Sequence, residues 1–367
     1  MKMKKYLFPM SLLLLSLPLQ AQRMTDGDTH SPSVQKVVEY VPAPGQFVNV
    51  HPTYEDGDTY QTMLDKCTAR LSSDDATIVS LGGYGGYVTF CFDHSIANIA
   101  GKPDVVILGN AYTGNAEPGI IMVSKDENGN GKPDDAWYEL KGSADEDGTA
   151  VYQYRITYQR PTTETRDTEQ STISRYITIE QYIPWTDNKG GSGYMHKNSY
   201  HNQVYFPLWV SDAELTFQGT LLPKNAVNTA AYPYENWLLS EFAWGYVDNK
   251  GNSDVAANSF DFDNAVDENR QPVDIDFVDF IRVYNAENQD CGWIGETSTE
   301  VNYAYDAHLE ESIEAIKKHE AGISTLTADT PAAVGYYTLD GKRLDAPQPG
   351  LLLVRMSNGT VKKIFLQ

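Results

Sequence analysis

Val151–Tyr158 reads VYQYRITY, and its alternation decides the fold class. Tyr152, Tyr154, Ile156 and Tyr158 fall on one face of a strand. Gln153, Arg155 and Thr157 fall on the other. A period of two with an apolar side and a polar side is that of a half-buried antiparallel strand. On either side the chain repeats the pattern in short pieces: Thr77–Leu81, Tyr87–Phe92, Val105–Leu108, Gly119–Ser124, Trp137–Leu140, Arg175–Ile183, Glu214–Leu221 and Phe277–Tyr284. Gly, Pro, Asn and Asp separate them. Many short strands at regular spacing predict a mostly β protein, a sandwich or jelly roll with long loops. Asp58–Leu71 is the early helical candidate, with Tyr60, Met63, Leu64, Cys67 and Leu71 at helical spacing. Trp237–Val247 is nearly all apolar and predicts a central strand pair or a buried segment. FDFDNAV places Asp261 and Asp263 on one strand face, as a second cation site, a ligand rim or a solvated acidic loop.

The domain plan follows from composition shifts along the 367 residues. Residues 1–22 carry Lys2, Lys4 and Lys5, then an apolar run from Leu7 to Leu19 that is too short to span a bilayer. This is the pattern of a secretory signal peptide, cut after Ala21 or Gln22, with no cysteine there for a lipid anchor. Residues 23–35 form a polar lead-in and 36–304 the sandwich. Residues 305–330 hold a helix (Asp306–Ala321) and a linker, and 331–367 a small β-module whose Asn358-Gly359 pair is a hairpin signal. The chain is therefore expected outside the cell or on its surface, without a membrane span. Acidic residues outnumber basic ones 50 to 28, a formal charge of −22. That balance opposes nucleic acid and anionic lipid as partners.

Ser124–Leu140, SKDENGNGKPDDAWYEL, has the layout of a loop that wraps a hard cation. Asp126, Asn128 and Asn130 recur at every second position, Gly131 follows, and Asp134 or Asp135 closes the shell. Ca²⁺ takes six to eight oxygens, and such a run supplies several from one turn. The twelfth position from Asp126 is Trp137 rather than Glu, so an EF-hand is excluded and a calcium loop between strands is expected. The alternative is a bare Asn/Gly-rich acidic turn.

Tyr182–Val210 supplies the candidate ligand residues Trp185, Tyr194, His196, His201 and Trp209. Flat rings beside amide and imidazole donors suit a sugar or another ring-shaped ligand. The competing reading puts the tryptophans in the core and leaves each histidine a satisfied lone residue. Enzyme signatures are missing. Gly190-Gly191-Ser192-Gly193-Tyr194 fails as a nucleophile elbow, Gly131-Lys132 is followed by Pro133 and is no P-loop, and HExxH does not occur. Carboxylate pairs cannot be singled out among 50 acids, so glycan hydrolysis stays an alternative without assigned residues. Cys67, Cys91 and Cys291 are an odd set, with a Cys67–Cys291 bridge as one option.

Two parts of the chain resemble known families. YYTLDGKRLDAPQPGLLLVRMSNGTVKKIFLQ resembles the C-terminal sorting domains of Bacteroidetes-type exported proteins, similar to those of the type IX secretion route. GGYGGYVTFCFDHSI, DVVILGNAY, EPGIIMVSKDENGNGKPDDAWYEL, IPWTDNKGGSGY and VDFIRVYNAENQDCGWIGETSTEV resemble gut-Bacteroides-type cell-surface proteins. The second resemblance implies a surface binding role without transferable catalytic residues. It also implies outer-membrane nutrient-uptake proteins as partners, among them systems that capture cobalamin.

Overall fold

A computed structural model describes residues 29–75, 77–324, 333–339, 341–344, 346–356 and 361–366. The leader 1–22, residues 23–28 of the lead-in, linker residues 325–330 and the Asn358-Gly359 pair lie outside the described residues. Two compact units divide the chain, 1–313 and 314–367, and the division falls within the helix Leu309–Ser324.

The first unit is mostly β and sandwich-like, built from several antiparallel sheets. Its central sheet has six strands in the order Lys36–Val41, Tyr87–Ala97, Phe277–Asn285, Gly119–Ser124, Trp137–Leu140 and Ala265–Val266. Phe277–Asn285 sits between chain-distant partners. Ile281 lies opposite Phe90 on one side and Val123 on the other, and Val283 opposite Val88 and Ile121. Period-two alternation therefore gathers these six side chains on one face, where all are buried. The helix Tyr60–Leu71 covers that face with Met63, Leu64, Cys67 and Leu71. Thr59 caps it, its side chain accepting from the Thr62 N–H, which satisfies one of the orphan donors of the first turn. The sheet Ser259–Phe260, Val105–Leu108 and Tyr303–Asp306 closes the same core.

A four-stranded sheet carries the second core, in the order Glu214–Leu221, Val151–Gln159, Ile177–Asp187 and Ser192–Asn198. Tyr154, Ile156 and Tyr158 point inward onto Ile179, Tyr182, Ile183, Met195 and Phe217, the face that the alternation of VYQYRITY predicts. Tyr84 of the GGYGG turn enters this core, with its ring edge-on to Tyr154 at 5.0 Å between centroids. Glycine is required on the C-terminal side of Tyr84. Gly85 has φ +83°, and a Cβ there would lie 2.2 Å from Phe217 Cβ; one at Gly86 would lie 1.9 Å from the Leu81 carbonyl oxygen.

Three sequence readings are corrected here. Trp237–Val247 is not a central strand pair: only Trp237–Leu239 is a strand, paired with Ala226–Asn228, and Leu238 is exposed. Apolar content fixes burial on average, not a partner. Asp261 and Asp263 do not share a strand face. Asp261 caps the short 3-10 turn Phe262–Asn264 by accepting from the Asp263 N–H, a local bond that competes with strand pairing. Cys67 and Cys291 form no bridge, and all three cysteines are free and buried.

The second unit holds a four-stranded antiparallel sheet in the order Arg343–Leu344, Ala333–Tyr337, Gly350–Met356 and Val361–Leu366. Among the described residues no helix is long and apolar enough to cross a membrane.

Candidate functional site

Ile177–Asp187 and Ser192–Asn198 form a hairpin, and its register places Trp185 opposite Gly193 and Pro184 opposite Tyr194. Asp187 organises the turn, its Oδ1 accepting from the N–H groups of Lys189 and Gly191. Gly193 has no side chain, which leaves room for the indole of Trp185; a Cβ there would lie 2.7 Å from the ring. Trp185, Tyr194 and His196 line a pocket of about 370 Å³, floored by Gly83, Tyr84 and Tyr158. Tyr194 is 39% exposed at the mouth. His196 Nδ1 is 2.6 Å from the Glu180 carbonyl oxygen, and donating there leaves its other nitrogen to a ligand.

The facing wall comes from a segment far along the chain. After the closing strand, residues 287–297 fold back on themselves through the Asp290–Glu296 bridge and the Cys291 N–H to Gly295 carbonyl bond of 2.7 Å. This turn brings Glu287, Asp290 and Glu296 to the pocket, and Lys224 stands at its exposed rim. Glu296 Oε1 accepts from the Gln46 N–H at 2.6 Å, and Glu287 Oε2 accepts from Gln289 Nε2 at 2.8 Å. Glu296 Oε2 and Glu287 Oε1 are buried and accept from no protein donor. Burial pushes Glu296 up to about 8 and raises Glu287 well above the ordinary carboxylate range. Burial also raises Asp290, against the opposing pull of His196. Shifted acids gathered in a cleft with rings are a recurrent mark of a functional site.

The other two candidate ligand residues sit elsewhere. Trp209 packs on the main core, stacked on Tyr40 and Tyr54 with centroids 5.6 and 6.2 Å away. His201 meets the edge of Phe47 at 4.7 Å, and burial lowers its pKa. Glu287 and Asp290 had no sequence signal beyond their place after a strong strand. Glu296 precedes the run Thr297-Ser298-Thr299, which points to no pocket.

In the candidate calcium loop four side chains, Asn128, Asn130, Asp134 and Asp135, bond to one another, and Asp126 bonds to the loop's backbone. Asp126 accepts from the N–H groups of Asn130 and Gly131, at 3.0 and 2.7 Å. Gly131 has φ +71°, which makes glycine the fitting residue at the bend. Asp134 Oδ1 lies 3.1 Å from both Asn128 Nδ2 and Asn130 Nδ2, and Asp135 Oδ2 lies 3.0 Å from Asn128 Nδ2. The two amide groups thus stand between the carboxylates. The amide oxygens are already engaged, Asn128 Oδ1 accepting from the Asn130 N–H at 3.0 Å and Asn130 Oδ1 from the Lys132 N–H at 2.8 Å, so it is the N–H₂ groups that face the carboxylates. Three carboxylates and two amides are residue types that a hard cation takes, and here the amides satisfy the carboxylates directly. The tightest acidic trio among the described residues lies elsewhere. Glu117, Asp248 and Glu300 are buried, each with a ligand oxygen within 4.8 Å of the others. Asp248, at φ +57°, accepts from the N–H groups of Asn110, Ala111 and Glu300, and burial pushes it up to about 7. A His30, Asp93 and His94 trio also gathers, but His94 is held between Asp93 and Asp306, at 2.7 and 2.9 Å.

Compared with protein-family models and with curated proteins, the chain matches none.

Proposed function

We propose that this is an exported or surface-held binding protein that takes a ring-shaped polar ligand, a sugar above all, in the pocket over Trp185, and that Ca²⁺ stabilises its Asp126–Asp135 loop. The observation that carries the reading is the pocket's lining: Trp185 and Tyr194 face two buried glutamates, each with an oxygen that no protein donor satisfies. Rings supply a stacking surface, and unspent acceptors supply directional bonds. The leader and the DGKRL…GTVKK module support the exported setting, and the loop's convergent donors support the ion. Partners in this reading are outer-membrane nutrient-uptake proteins, with cobalamin as the alternative ligand.

The test is a fluorescence titration against a panel of mono- and oligosaccharides and cobalamin, on the wild type and Trp185→Ala. Saturable binding that the variant loses supports the reading; binding that the variant keeps refutes it. A second reading, glycan hydrolysis, is favoured by Glu296, which burial holds protonated at neutral pH, the state a general acid needs. Turnover of aryl glycosides that Glu296→Gln abolishes would establish it.

A further inference from the structure

This inference deepens the ligand-site reading and rests on it. Glu287 and Glu296 are 1% and 3% exposed. A buried acceptor left without a donor costs about 1–3 kcal/mol, and here two such oxygens belong to residues that line one pocket. Asp290 adds a third carboxylate on the same wall, its oxygens facing the N–H groups of Gly292 and His196. The rings of Trp185, Tyr84, Tyr158 and Tyr194 complete the lining, and aromatic faces attract cations. Carboxylates and π-faces around one cavity select positive charge, and unsatisfied acceptors select N–H donors.

We propose that the pocket's ligand is a ring-bearing primary amine, an amino sugar in the first place, whose ammonium group donates to Glu287 Oε1 and Glu296 Oε2 while its ring lies against the aromatic wall. Without ligand, burial pushes Glu296 up to about 8 and raises Glu287 well above the ordinary carboxylate range, which favours the protonated forms. An arriving ammonium favours their ionised forms, so its binding releases protons and tightens as pH rises. Other titratable groups face the site: Asp290 with Glu235 beside it, His196, and Lys224, which opposes a cation from the rim.

The experiment is isothermal titration of the full chain at pH 6 and pH 8 with two matched pairs, glucosamine against glucose and benzylamine against benzyl alcohol. The expected result is at least tenfold tighter binding of benzylamine than benzyl alcohol at pH 8, and tighter binding of glucosamine than glucose at both pH values by a ratio that its own deprotonation, in the range of roughly 7.7–8.0, reduces at pH 8. Benzylamine, which stays protonated throughout, also binds tighter at pH 8 than at pH 6, with a heat that changes with the buffer as protons are released. Glu287→Gln/Glu296→Gln loses the preference, and because that variant can fail to fold, the wild-type comparisons decide alone. His196→Gln keeps the pH trend, which separates the glutamates from imidazole titration. Glucose binding as tightly as glucosamine at pH 6, or benzylamine binding that weakens from pH 6 to pH 8, overturns the ammonium proposal and leaves the sugar site standing. Benzylamine binding with neither sugar binding keeps the ammonium preference and removes the sugar reading. Silence from all four removes both.

Discussion

Glu296→Gln is expected to change how stability depends on pH, and the size follows from the site. Glutamate ordinarily titrates at 4.5, and burial pushes Glu296 to about 8. The folded chain therefore keeps a proton that the unfolded chain has released. That contribution is fully present below the ordinary value and is lost as pH rises through about 8. Each pH unit in this interval is worth about 1.4 kcal/mol, so from pH 5 to pH 8 the wild type loses about 4 kcal/mol through this group. Glutamine has nearly the shape of protonated glutamate and can accept from the Gln46 N–H through its oxygen. It does not titrate. The variant should match the wild type within about 1 kcal/mol at pH 5 and exceed it by about 4 kcal/mol at pH 8. Asp248, Glu117, Glu300 and Glu287 are raised in the same direction, so both proteins lose stability toward alkaline pH and only the difference reports Glu296. Urea unfolding at each pH, without ligand, measures it. Parallel profiles for the two proteins would refute the claim that Glu296 is folded in as a neutral acid.

Other outcomes follow from the same structure. Saturating Ca²⁺, at about a hundredfold over its Kd, should add about 2.7 kcal/mol and raise the Tm by roughly 5 °C or more; Asp126→Ala should erase the difference in a calorimetric scan with and without chelator. Trp209→Ala, which removes a ring stacked on Tyr40 and Tyr54, should cost about 3–5 kcal/mol in urea unfolding and, at temperatures where it stays folded, bind ligand as the wild type does. Trp185→Ala should show the reverse, with binding lost and a smaller stability cost. Gly86→Ala should fail to reach the native fold by near-UV circular dichroism, since its Cβ would lie 1.9 Å from a backbone oxygen.

Much of the sheet architecture was legible because it rests on local period. VYQYRITY shows its inner face, and Met63, Leu64, Cys67 and Leu71 mark the buried stripe of a helix that runs Tyr60–Leu71. What period does not carry is pairing between distant segments. Trp185 and Trp209 look alike in sequence, 24 positions apart. One lies on a glycine beside a cavity, and the other meets two tyrosines some 150 residues earlier in the chain. Nothing within either tryptophan's neighbourhood distinguishes them. The same holds for Glu287 and Glu296, which read as two acids among 50 until the turn after the strand Phe277–Asn285 buries them beside the pocket that Trp185 lines. WLLSEFAWGYV misled in the opposite sense, since apolar composition without alternation names no strand partner.

The most direct measurement is a crystal structure of the protein soaked with the tightest binder of the saccharide and amine panel. The account predicts the ligand ring against Trp185, with a donor group at Glu287 Oε1 and Glu296 Oε2. A ligand bound elsewhere, with that pocket holding only solvent, would contradict it.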